Sequence, residues 1–468
     1  MKSLMNRREF LRLSAGLAVG TALVACAPPS AKPAEEAEKP AEEAPKPVEE
    51  KITVYWMNWW GGAREPLMLE VISRFEEENP DIHVENQLQP WDNRAQRAAT
   101  AIASRNPPSL IMVTRIEAQK FAHEDLIIPI DPYIEANDID VYEIFYESEI
   151  NNCKWADHFW SYPLPTGGGA TCIWFYNKNV FRDAGLDPEK PPQTWQEVEE
   201  VIKATTVIED GVIQKIGLAA VNNYHFPAWL YCNNGKYYSD DSKQLLFNQP
   251  EGVETLEWMA HIIHDYYGGV EAFNAFFEGV NMQSADYPFY TDKLALLPSA
   301  VWNFFHFETF DPEMYADPDQ WGVLLVPYNG NNPQAKSTGI SGFHFAWNQV
   351  IPKGLDKKVQ DAAYKWLEFF TMREEGGCWF LFEQHRPSPV KACNENPAYY
   401  EGNPYWDMVL KGLEIDVSVP VTPVQSEIAA LVNEALDEVW FGLKEPKEAL
   451  DWAYDKAQPI LDEFWSES

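Results

Sequence analysis

The feature that most constrains this chain is an alternation of strand and helix patterns directly after residue 50. Ile52 to Met57 (ITVYWM) is a β-branched and aromatic run of strand length. It ends at Asn58-Trp59-Trp60-Gly61-Gly62. Leu67, Val71, Ile72 and Phe75 then recur at helical spacing, with Pro66 in the first turn and Asn79-Pro80 as the stop. Ile82 to Leu88 reads as a second strand, Ala95 to Ser104 as a second helix broken by Asn106-Pro107-Pro108, and Leu110 to Val113 as a third strand. A β-α-β-α-β order needs crossover connections, so it predicts an α/β chain whose sheet is mostly parallel and flanked by helices. Ligands of such sheets sit beyond the carboxyl ends of the strands. Those ends carry Trp59, Trp60, Trp91, Asp92 and Arg115.

The same vocabulary returns further on. A strand spans Cys172 to Tyr176, helices are predicted near 194–207, 252–267 and 271–279, and strands at Leu294 to Leu297 and Gly322 to Pro327. An apolar helix covers 359–370, and two more lie near 425–441 and 446–464. Residues 51–468 are too many for one ordinary core, so two lobes are expected.

The N-terminus describes export. A basic start containing Arg7-Arg8 leads into an apolar run from Leu13 to Ala25, too short to span a hydrocarbon core of ~30 Å but suited to a signal-peptide h-region. Arg7-Arg8 with Phe10-Leu11 resembles a twin-arginine signal; the alternative is a general-secretion signal that contains two arginines. Leu23-Val24-Ala25-Cys26 resembles a lipobox, so cleavage ahead of Cys26 and its diacylation are expected. Two acyl chains suffice for stable anchoring where one does not. Residues 26–50 consist almost wholly of Pro, Ala, Glu and Lys, with almost nothing to bury, and read as a disordered tether.

Charge excludes some partners. With 72 acids against 36 bases the chain carries a formal −36, which leaves no basic stripe for nucleic acid and argues against direct docking on anionic lipid. Membrane attachment is therefore expected through the lipid alone. Beyond Cys26 five cysteines remain (Cys153, Cys172, Cys232, Cys378 and Cys393), an odd number that leaves the disulfide pairing open. His261 and His264 share a helical face without an evident third ligand, and neither metal nor cofactor is expected. The 19 Trp exceed what a core needs and suit stacking on sugar faces. No Gly-x-Ser-x-Gly or His-Glu-x-x-His motif occurs, and the glycines at 167–169 are followed by no Lys-Ser/Thr, so they are not a phosphate cradle.

Several stretches together resemble a known family. They are FEEENPDIHV (Phe75 to Val84), WSYPLPTGGGATCIWFYNKNVFRDAGLDPEKPPQTWQEV (Trp160 to Val198), LALLPSAVW (Leu294 to Trp302), WGVLLVP (Trp321 to Pro327), AAYKWLEFFT (Ala362 to Thr371) and EPKEALDWAYDKAQPILDE (Glu445 to Glu463). The chain resembles the extracellular solute-binding proteins of ATP-driven importers, in the branch similar to maltose-binding protein. One departure is Asp292-Lys293, where the family usually has Gly before the LALLPS strand.

The resemblance implies a two-lobed, type II periplasmic-binding-protein-like α/β fold, each lobe a mostly parallel sheet, with ligand held between lobes. Lobe 1 would comprise 51–166 and 341–412, and lobe 2 would comprise 170–337 and 420–468, with crossings near 166–170, 337–341 and 412–420. It implies a non-enzymatic receptor that captures a carbohydrate of oligosaccharide size, closes on it, and delivers it to the permease subunits of an ABC importer as a monomer. The alternatives are a surface-anchored polysaccharide-acting enzyme and a receptor of the same fold for a non-sugar ligand. Candidate ligand residues are Trp59, Trp60, Trp91, Asp92, Arg115, Thr166, Gly167, Tyr224, His225, Trp229, Trp302, Asn303, Phe343, His344 and Arg386, with Cys26 as the lipidation site.

Overall fold

The computed structural model describes residues 51–164, 172–344 and 346–467. Cys26, the tether, Thr166 and Gly167 lie outside the described residues. In chain order the strands are β1 (Ile52–Asn58), β2 (Ile82–Leu88), β3 (Leu110–Thr114), β4 (Lys154–Trp155), β5 (His158–Phe159), β6 (Ile173–Asn177), β7 (Val207–Glu209), β8 (Val212–Leu218), β9 (Leu294–Pro298), β10 (Trp321–Leu325), β11 (Gly339–Ser341), β12 (Trp347–Val350) and β13 (Asp416–Ser418).

The first sheet has the order β12-β3-β1-β2. β1 pairs in parallel with β2, in register from Ile52↔Ile82 to Asn58↔Leu88, and with β3. β12 closes the edge antiparallel to β3. The helix Glu65–Glu78 forms where the apolar spacing and Pro66 predict, and buries Met68, Val71, Ile72 and Phe75. The helix Lys357–Met372 seats Trp366 and Phe370 edge-on against Trp56, at 5.3 and 4.8 Å between centroids. Such aromatic contacts add about 0.5–1.5 kcal/mol each beyond burial.

The second sheet, order β10-β6-β9-β8-β7, corrects the expectation of a mostly parallel lobe. Only β8 and β9 run parallel; β10–β6, β6–β9 and β7–β8 are antiparallel. The reason is topological. β6 begins just after the chain enters this sheet, and β10 precedes the stretch that leads out of it through β11. An outgoing and a returning strand placed side by side must oppose each other. The helix Trp195–Thr205 starts on a capping box in which Thr194 and Glu197 each accept from the other's backbone N–H. It lies so close to β8 that a Cβ on Gly217 would meet the Ile202 Cα at 2.5 Å.

Two hydrophobic cores result. One is built from residues between Val54 and Leu164 and between Val350 and Val390. The other spans Cys172 to Phe343 and Tyr399 to Leu461. Tyr399, Trp406 and Val409 therefore belong to the second core, although residues up to 412 were expected in the first lobe. Tyr399 stacks on Trp406 at 3.9 Å, and the helix Trp406–Glu414 lies against β6 and β10. Burial of these two large rings decides which lobe the segment joins.

β11 and β13 form a separate two-stranded parallel ribbon, Gly339↔Asp416 to Ser341↔Ser418. Cys378 and Cys393 are disulfide-bonded, while Cys153, Cys172 and Cys232 are buried thiols. Among the described residues no helix is long and apolar enough to cross a membrane.

Candidate functional site

The end of β1 does not present its tryptophans as expected. Trp59 is buried and its indole donates to the Met112 carbonyl at 2.7 Å. Trp60 is buried against Phe380, ring over ring at 5.9 Å, and meets Trp347 edge-on at 6.0 Å. Both serve the first core, because β1 is central in its sheet and its end is covered from both faces. Trp347 continues to Trp91, edge-on at 5.9 Å, whose ring is 53% exposed. The Arg94 guanidinium lies over both rings, at 5.8 Å from Trp91 and 5.3 Å from Trp347. Asp92 is exposed beside them.

Arg115 is held in part by backbone carbonyls. It is buried, its Nη1 donates to the Val419 carbonyl at 2.8 Å, and its backbone N–H donates to Ala346 at 2.7 Å. It ties the start of the helix Arg115–His123 to the segments around β12 and β13. Burial lowers its pKa to about 10, leaving it cationic at neutral pH.

One aromatic group does gather. Tyr224 lies flat on His344, at 4.0 Å and 20° between planes, while His225 meets Tyr224 edge-on at 5.2 Å. Phe343 packs edge-on against His344 at 5.0 Å and against Tyr237 at 4.9 Å. Tyr224 and His344 line a cavity of about 370 Å³ together with Ile116, Tyr237, Phe343 and Gln425. Burial lowers the pKa of His225 to about 3, helped by His344, and that of His344 to about 4, and it raises that of Tyr224 to about 12. All three are neutral at physiological pH, which suits uncharged hydroxyl partners and flat apolar faces. Trp229, expected among them, is instead a core residue. Its indole donates to the Ala220 carbonyl at 2.8 Å, and it sits edge-on to Trp174, Trp195 and Trp258. Only its rim reaches the small pocket formed by Tyr224, His225, Pro298 and Ser299.

A second group is cationic. After β9 the chain runs Ser299-Ala300-Val301-Trp302 into the helix Asn303–Phe310. Trp302 is half-buried and edge-on to His306, one helical turn on, at 5.2 Å. Asn303 is buried at the start of this helix. Across from Trp302, Arg64 in the turn after β1 donates from Nη2 to His306 Nε2 at 3.1 Å. Arg386 is buried in the same neighbourhood, its charge acting on both Arg64 and His306. Burial and these arginines hold His306 neutral, with a pKa near 3. Arg64 and His306 were not anticipated. Two signals could have found them: Arg64 follows the glycine turn at the end of β1, and His306 is four residues beyond Trp302 on a helix.

The family model for bacterial extracellular solute-binding proteins matches residues 61–376. The chain belongs to this family. Among curated relatives, the sn-glycerol-3-phosphate-binding periplasmic protein UgpB of Salmonella typhimurium is 23% identical over 449 residues, covering 89% of this chain and 94% of its own. Solved structures of the same fold include CpMnBP1 with mannotriose bound, at TM-score 0.73 and 21% identity, covering 87% of this chain and all of that one. Another is the Listeria monocytogenes ABC substrate-binding protein Lmo0181 in complex with cycloalternan, at TM-score 0.69 and 20% identity, covering 88% and 99%. These likenesses establish the two-lobed type II binding-protein fold.

Proposed function

We propose that the chain is a lipid-anchored extracytoplasmic receptor that captures a carbohydrate or related polyol and hands it to an ABC importer. The observation that carries this reading is the contact between Arg64, which follows a strand of the first core, and His306, on a helix of the second, beside the half-buried Trp302. A site assembled from both cores is sensitive to their relative position. A ligand that touches both favours the closed arrangement by its differential affinity. The curated relative is named for glycerol 3-phosphate, and the solved neighbours carry mannotriose and cycloalternan. Polyhydroxylated solutes are the chemistry common to all three.

Tyr224, His225, Phe343 and His344 supply stacking faces and neutral hydrogen-bonding groups, and Trp302 a second platform. Thr166, Gly167 and the exposed pair Trp91 and Asp92 complete the proposed lining. The crossings, in this reading, run near 166–170, 337–341 and 412–420, the last two containing β11 and β13, so that lobe 1 is formed around the first core and lobe 2 around the second. The receptor performs no chemistry on its ligand and acts as a monomer held by diacylated Cys26, exported through the twin-arginine signal.

Thermal-shift screening of the full chain against mono- and oligosaccharides tests the reading. A sugar that raises the melting temperature in proportion to the logarithm of its concentration is expected. A shift with peptides or polyamines, and with no sugar or sugar derivative, would overturn it.

A further inference from the structure

The cationic group between the cores has an unusual hydrogen-bond balance. Arginine only donates, so the 3.1 Å contact from Arg64 makes His306 Nε2 the acceptor. In a neutral imidazole the proton then sits on Nδ1. That Nδ1–H, the Arg64 Nε–H and the Arg386 Nε–H are all buried, and none has a partner among the described residues. Three buried donors in one neighbourhood thus lack an acceptor there, and two of them belong to guanidinium groups. Unpaired buried donors and charges are strongly disfavoured and are normally satisfied.

The chain had ample means to neutralise them. It contains 72 acidic residues, yet among the described residues neither guanidinium has a carboxylate partner. Glu308, two residues beyond His306, is engaged by His385 at 2.8 Å. Burial, and then the charge of Arg64, hold Arg386 well below the usual guanidinium range. A structural arginine pair in an acidic protein would have an acid between them. Here the place is left for something that arrives from outside.

We propose that Arg64, Arg386 and His306 form an anion-holding subsite, and that the captured solute carries a phosphate or carboxylate on its sugar or polyol body. This rests on the receptor reading for the body of the ligand, but the subsite stands on its own donors. A tetrahedral phosphate or planar carboxylate offers several acceptor oxygens to the guanidinium donors, whose forks match both anions in geometry. Trp302, edge-on to His306, then faces the adjoining ring or carbon chain. The anion also neutralises the repulsion between two arginines presented by the first-core side, beside a histidine of the second.

The test is isothermal titration calorimetry on the full-length chain in detergent. Its probes are glycerol 3-phosphate, glucose 6-phosphate and glucuronate, against neutral glycerol, glucose and maltotriose, with inorganic phosphate alone as a further arm. We expect at least one charged probe to bind tenfold or more tighter than its neutral parent. Phosphate esters and glucuronate distinguish the two sources of charge. Arg386→Met should weaken the charged probe about a hundredfold, the range for removing one side of a buried charged pair. It should weaken the charged probe at least tenfold more than its neutral parent and raise the melting temperature of the empty protein, because an unpaired charge has gone. Arg64→Met, at a less buried position, serves as the second variant should the first misfold.

Neutral sugars binding as tightly as their charged forms would overturn the subsite while sparing the receptor reading. Phosphate binding that depends on Arg386, with no sugar binding, would support the subsite and sink the sugar reading. Absence of binding by every anionic probe, or melting temperatures of empty Arg386→Met and Arg64→Met both falling by several degrees, would overturn the subsite outright.

Discussion

Tyr224 lies flat against His344 with ring centroids 4.0 Å apart, joining the loop after β8 to the segment that follows β11. The phenol is 39% exposed, so its outer face is available while its inner face is held. A ring fixed in this way is a stacking platform with little entropy left to lose on binding. Tyr224→Ala is expected to weaken ligand binding tenfold or more, by calorimetry, while changing unfolding free energy by no more than about 1 kcal/mol. Tyr224→Phe should retain most of the affinity.

Two of the five tryptophans expected at the ligand, Trp229 and Trp91, separate cleanly in what they do for stability. Trp229→Ala should cost about 3–5 kcal/mol, because its ring is packed by three other indoles and its N–H is satisfied inside the core. Trp91→Ala, at an exposed rim, should cost less than about 1 kcal/mol. Urea denaturation of both variants measures the contrast.

Acid should loosen the protein partly through His306. Its folded pKa is near 3 against 6.5 for a free histidine. Above about pH 6.5 neither state is protonated and the residue adds no pH dependence. Between 6.5 and 3 the unfolded chain takes a proton that the folded site refuses, so stability falls as pH falls. His225 and His344 act in the same direction. His306→Gln should therefore reduce the slope of stability against pH between 6 and 4.5 by up to about 1.4 kcal/mol per unit. Chemical denaturation at several pH values would show it, and parallel slopes for variant and parent would refute it.

Reducing the Cys378–Cys393 bond should lower stability by about 3 kcal/mol, the cost of releasing a loop of this length in the unfolded chain. The double variant Cys378→Ser with Cys393→Ser should match the reduced protein in its urea midpoint and should no longer respond to reductant.

Gly339 marks the tightest point of the β11–β13 ribbon. A Cβ there would meet Cys172 Sγ at 1.9 Å and Asp416 Oδ1 at 2.6 Å. Gly339→Ala is expected to destabilise by at least about 1–3 kcal/mol through overpacking, measured by calorimetric unfolding, with partial rescue by Cys172→Ala.

Much of the fold was legible because local signals agreed with burial. The helices Glu65–Glu78, Gln425–Trp440 and Lys357–Met372 lie within a few residues of where apolar spacing places them. The β7–β8 hairpin was missed although Asp210-Gly211 supplies its turn, both residues at positive φ, because its exposed flank of Val207, Ile208 and Val212 lacks alternation. Strand direction in the second sheet could not be read, since direction depends on where the chain enters a lobe. At the site, the sequence showed which strand ends matter but not which way their side chains turn. Trp59 and Trp60 point into the core, whereas Arg64, four residues past Trp60 in a turn, meets the opposite side.

The parallel pairing of β11 with β13 has a consequence for how this receptor can diversify. Two of the three proposed crossings are laced together by backbone groups, so they bend as one band and define a single swing. Backbone pairing is indifferent to most changes of side chain. The gesture of capture is thus inherited with the chain's path, while the grip, held by a handful of rings and charges at the mouth, is free to be rewritten for a different solute.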